Sequence, residues 1–82
     1  MEFAMNLSEM FTELLMKWCV VGNTENEWQQ FRTNLFGMME TCGKITVLVN
    51  SSLPTYQVNF TDGSILKFEF SVENCYISIV KE

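Results

Sequence analysis

Apolar side chains recur at steps of three and four residues up to Gly43 and at steps of two after it. The first period belongs to a helix with one buried face, the second to a strand with one buried face. The period changes only once along the chain. This predicts an α+β fold: two antiparallel N-terminal helices packed on one face of a four-stranded antiparallel β-meander.

The spacing predicts a first helix over 7–21, with Leu7, Met10, Phe11, Leu14, Trp18 and Val21 on one face and Leu15 at its edge. Asn6 or Ser8 can cap its start, and Gly22-Asn23 supplies the stop. Thr24-Glu25-Asn26-Glu27 has the form of a capping box and opens a second helix over 25–42, closed by Gly43. Its apolar face is Trp28, Phe31, Leu35, Met38, Met39 and Cys42. The short link between these segments favours a helical hairpin. Strands are expected at 44–50, 56–60, 66–70 and 75–80, with hairpin signals at Asp62-Gly63 and Glu73-Asn74. Phe60, Phe68 and Phe70 should be deeply buried with Trp18 and Leu35. Residues 5–82 read as one domain, and Met1-Glu2-Phe3-Ala4 as a vector-derived or disordered tail before Met5.

Composition narrows the function. The chain of 82 residues carries a net charge of −5, and residues 1–42 hold most of it. Glu2, Glu9, Glu13, Glu25, Glu27 and Glu40 there face only Lys17 and Arg32. Direct nucleic-acid binding is not expected, because it needs several Lys or Arg on phosphates. No apolar run approaches the ~20 residues that span a bilayer, so no membrane partner is expected. With no histidine, the commonest general base and metal ligand is missing. Cys19, Cys42 and Cys75 are odd in number and lack a CxxC spacing, so they read as buried, reduced thiols within apolar patterns. No signal peptide is read, and the expected setting is cytoplasmic. The paired carboxylates Glu9/Glu13 and Glu25/Glu27 read as solvated charges, and the four glycines are isolated. No metal, cofactor or catalytic residue is therefore assigned, and an enzyme is not expected.

What remains is apolar side chains in polar company. Met16 and Val20 project beside Glu9 and Glu13; Phe36 lies away from the Trp28/Leu35 stripe, beside Gln29 and Glu40. On the sheet, Leu48, Ile65 and Tyr76 fall among Thr46, Gln57, Asn59, Lys67 and Glu69. Grouped exposed hydrophobes mark interaction surfaces. The expectation is a non-enzymatic protein-binding module, an inhibitor or regulator that engages a basic partner surface. Its partner-binding residues would be Glu9, Glu13, Met16, Val20, Phe36 and Glu40. In composition it is similar to the accessory inhibitors of nucleic-acid enzymes carried by phage and mobile elements. The alternative is self-association as an oligomerisation domain, through the Phe36 patch or an edge strand at 44–50 or 75–80.

Overall fold

The computed structural model describes residues 5–19 and 24–80. The chain forms α1 (Leu7–Cys19), α2 (Glu25–Cys42), β1 (Gly43–Val49), β2 (Thr55–Phe60), β3 (Ile65–Ser71) and β4 (Tyr76–Ile79). The strands make one antiparallel sheet in the order β1-β2-β3-β4. The fold is therefore α+β, with the sheet following the helices. The tail at 1–4, and the first-helix residues Val20 and Val21 with the stop at Gly22-Asn23, lie outside the described residues.

Each helix start follows from a local sequence signal. At α2 the capping box forms: Glu27 N–H donates to Thr24 Oγ1 at 3.3 Å, and Thr24 N–H donates to Glu27 Oε1 at 3.1 Å. These bonds, the one to the Thr24 backbone foremost, hold the Glu27 carboxyl below its usual range. At α1 the cap is Asn6, whose Oδ1 accepts from Glu9 N–H at 2.9 Å. The two remaining N–H groups of that first turn are met from the other end of the chain. Leu7 N–H donates to Asp62 Oδ2 at 2.8 Å, and Ser8 N–H donates to Ser64 Oγ at 3.1 Å. Without them these donors would be left to water.

Asp62 and Ser64 belong to the β2–β3 hairpin. Its loop is Thr61–Gly63, closed by Gly63 N–H on Phe60 O at 3.0 Å and Phe60 N–H on Ser64 O at 2.9 Å. Gly63 has φ 90°, which a glycine adopts at no steric cost. Hydrogen bonds from Ser64, then from Leu7, hold the Asp62 carboxyl below the usual range. The stabilisation tied to this lowered value is present above the ordinary carboxylate pKa and is lost as pH falls through the lowered one.

The buried sheet face reads Tyr56, Val58, Phe60, Leu66, Phe68, Phe70 and Ile77. Register pairs Tyr56 with Phe68, Val58 with Leu66, and Phe70 with Ile77. Rings from both helices meet this face. Phe11 stacks on Phe60 at 5.2 Å, and Trp28, Phe31 and Phe36 approach Phe70 at 5.6, 6.2 and 5.8 Å. Trp18 joins the helices, stacked on Phe31 at 4.2 Å and edge-on to Trp28 at 6.0 Å. Phe60, Phe68, Phe70 and Leu35 are buried as expected, whereas Trp18 is only partly buried.

Three expectations are corrected. The α1 stripe is rotated: Phe11 and Leu15 are buried with Leu7 and Trp18 packed against the core, while Met10 and Leu14 are exposed. Both stripes are compatible with helical spacing, and the observed one lays Phe11 on Phe60. On α2, Met38 is exposed and Trp28, Leu35 and Met39 carry the burial. Cys75 is an exposed turn residue at φ 47°, not a buried strand thiol; its N–H closes the turn on Val72 O at 3.2 Å. Cys42 is partly buried, and the Cys19 side chain lies outside the described residues.

The rotation of α1 is directly testable. Leu15→Ala should cost roughly 2–5 kcal/mol in urea unfolding, as buried Leu→Ala changes do. Leu14→Ala should cost less than ~1 kcal/mol. The reverse order would return the buried stripe to Met10 and Leu14.

Candidate interaction surface

The outer face of α1 carries Glu9, Glu13 and Met16. All three are exposed, and Met16 keeps 59% of its surface in solvent. The spacing that buries Phe11 and Leu15 turns these side chains outward. Met10 and Leu14, 52% and 38% exposed, flank the same face. Glu9, Glu13 and the exposed Lys17 lie between Met16 and the Met10/Leu14 side, so the apolar groups are separated by charged ones. Glu40 is exposed on α2. Val20 lies outside the described residues, so nothing structural places it with Met16.

Phe36 does not join this surface. Its ring packs edge-on against Tyr56 at 5.0 Å and Phe68 at 6.0 Å, and against Phe70 at 5.8 Å. The Arg32 guanidinium covers it from outside, 4.8 Å from the ring centroid. The reason is geometric. Phe36 stands about 80° round the helix from Trp28 at ~100° per residue, and α2 lies close enough over the sheet for that flank to reach Tyr56. Phe36 is therefore an edge of the core, and the expectation of a free aromatic anchor there is corrected.

A second apolar group lies on β1. Val47, Leu48 and Val49 are 51%, 46% and 52% exposed, and Leu53 in the following loop is 37% exposed. Register shifts between Val47 and Val49, which leaves Leu48 opposite no β2 residue. Leu48 thus sits at a bulge, not in the polar row where simple alternation puts it. Ile65 and Tyr76 do stand exposed on the polar sheet face, Ile65 opposite Asn59 and Tyr76 reaching Glu69 Oε1 at 3.4 Å. The sequence signal for the β1 group was the apolar run at 45 and 47–49, uninterrupted in parity and carrying one charge, Lys44, at its start.

An open recess of about 380 Å³ lies between α2 and the sheet, bordered by Gln29, Arg32, Ser51, Ser52, Tyr56 and Glu73. The Ser51 hydroxyl donates to Leu53 O at 3.2 Å, and Arg32 is stacked on Phe36. Glu73 is the one carboxylate on its border and Arg32 the one cation. Among the described residues, no three His, Cys, Asp or Glu side chains gather as metal ligands, and no helix is long and apolar enough to cross a membrane. Family models, curated proteins and solved structures contain no match to this chain.

The placement of Phe36 predicts its mutant. Phe36→Ala should destabilise the fold by roughly 2–4 kcal/mol, since three ring contacts are lost. Thermal unfolding should show a midpoint lowered by about 10 °C or more. An unchanged midpoint would put the ring outside the core.

Proposed function

We propose that this protein is a small, non-enzymatic protein-binding module, an inhibitor or regulator that engages a basic surface on an intracellular partner such as a nucleic-acid enzyme. In this reading the helices form an antiparallel pair over one sheet face and present their acidic outer side. The observation that supports it is the outer face of α1, where Met16 stands exposed beside Glu9 and Glu13, with Met10 and Leu14 exposed further round the helix. Apolar contact area of this kind supplies affinity once desolvated, and bordering carboxylates steer a basic partner and fix its register. Glu40 adds charge on α2. Phe36 contributes by holding α2 on the sheet and not by contact. A second reading, self-association, is favoured by a different observation, the exposed apolar edge of β1.

Site-specific cross-linking tests the first reading. A photo-reactive residue at position 16 should capture a defined partner with a basic surface from cells of the source organism. The adduct should fade with added salt. The double variant Glu9→Lys, Glu13→Lys should slow association with the captured partner by about tenfold or more, because steering is reversed. Capture that is insensitive to salt and to charge reversal would count against the acidic face.

A further inference from the structure

β1 is an edge strand, and the direction of its free hydrogen-bonding groups can be worked out from the hairpin beside it. Phe60 commits its N–H to Ser64 O, on the β3 side. Thr61 N–H donates instead to Cys42 O at 2.8 Å, on the β1 side. Bonded and non-bonded pairs alternate along an antiparallel ladder. Gly43↔Phe60, Ile45↔Val58 and Val47↔Tyr56 are therefore the non-bonded pairs of the β1–β2 register. The N–H and C=O groups of Ile45 and Val47, and the C=O of Gly43, therefore point away from β2, while the Gly43 N–H closes the last turn of α2, which runs to Cys42.

We propose that this edge pairs with the same edge of a second copy, antiparallel, about a two-fold axis at Ile45. Only odd positions can bond outward, and of the registers this allows the one centred on Ile45 engages Gly43, Ile45 and Val47 together: Ile45 faces Ile45 of the other copy, and Gly43 faces Val47. Both bonded pairs lie on the helix-side face. There Val47, 51% exposed in the single chain, meets the Gly43 backbone of the other copy, and the two Ile45 side chains meet each other. On the polar face Lys44 comes opposite Thr46, which places the two Lys44 side chains diagonally and not directly opposite. The bulge at Leu48 ends the regular ladder and confines the pairing to Gly43–Val47.

Charge favours a second copy over a foreign strand. The chain carries −5 overall, yet between Thr41 and Thr61 the one charged residue is Lys44. The two strands themselves thus bring no carboxylates together, and they offer no charge pattern to select another partner. The opposite edge is poorer: β4 has four residues and α1 packs against it. Edges managed against pairing are short, charged, or broken by proline, and β1 over Gly43–Val47 has only Lys44 for protection. Because α1 packs over β3 and β4, the pairing leaves the acidic face free and presents two copies of it.

Mass in solution and amide hydrogen exchange on the full chain, over a range of concentrations, test the pairing. The mass should rise from 9.5 kDa towards twice that value. Exchange at Ile45 and Val47 should slow with concentration, while Lys44 and Thr46, bonded to β2, should be protected at every concentration. Val47→Lys should stay folded, remain monomeric and lose the concentration dependence. Val47→Pro, which removes an outward N–H alone, should do the same. A single-chain mass at every concentration would overturn the proposal. So would a dimer whose added protection falls on β4 or α1, or a monomer whose β1 amides become protected only with a different protein. Loss of the α1 adduct in cross-linking leaves this result unaffected, so the two readings fail separately.

Discussion

Gly43 lies so close to β2 that no side chain fits there. A Cβ would collide with the Asn59 carbonyl oxygen and lie 2.8 Å from Phe60 Cα. The need is for space and not for an unusual backbone, since φ is 177°, an extended value open to any residue. α2 ends at Cys42 and β1 begins at Gly43, so helix passes into strand with no loop. The Cys42 carbonyl, which has no helical partner, accepts from Thr61 N–H. The direction in which α2 leaves the sheet is set at this contact. Every ring that α2 lays on Phe70 depends on that direction.

α1 is held by a second device. Its first-turn N–H groups are bound by Asp62 and Ser64, at the hairpin loop next to the strand end that Gly43 touches. One end of β2 thus fixes both helices, α2 through the backbone and α1 through a carboxylate. Between these points the core is mainly aromatic: Phe11 on Phe60, Trp18 on Phe31, and Trp28, Phe31 and Phe36 around Phe70. Such rings bury large areas per residue, which an 82-residue chain needs because it buries a smaller fraction of its surface than a larger one.

Local patterns were legible in the sequence; contacts between distant segments were not. The capping box at Thr24 and Glu27, the α2 boundaries, the alternation of Tyr56, Val58 and Phe60, and the meander all follow from short-range chemistry. Leu14 and Leu15 are adjacent leucines, and helical spacing admits either; the buried stripe is the one that meets Phe60, far along the chain. Phe36 looked free because a helical wheel shows which side it occupies but not how near the sheet comes. Cys75 fits a strand pattern, yet a left-handed turn takes it. Met16 was read as exposed and is so, with Glu9 and Glu13 around it. The β1 edge was one of two edges the sequence offered, and the uneven length and covering of β1 and β4 separate them.

The account stands on steric contact at Gly43, and a pair of glycine substitutions tests it. Gly37 lies within α2, with nothing inside 4 Å of a Cβ placed there. Equilibrium unfolding of Gly37→Ala should show a gain of about 0.5–1 kcal/mol, as alanine replaces glycine in an open helical position. Gly43→Ala should lose roughly 2 kcal/mol or more, because β1 must be pushed off β2 to admit the methyl group. A Gly43→Ala chain as stable as the parent would contradict the close approach, and with it the placement of α2 over the sheet.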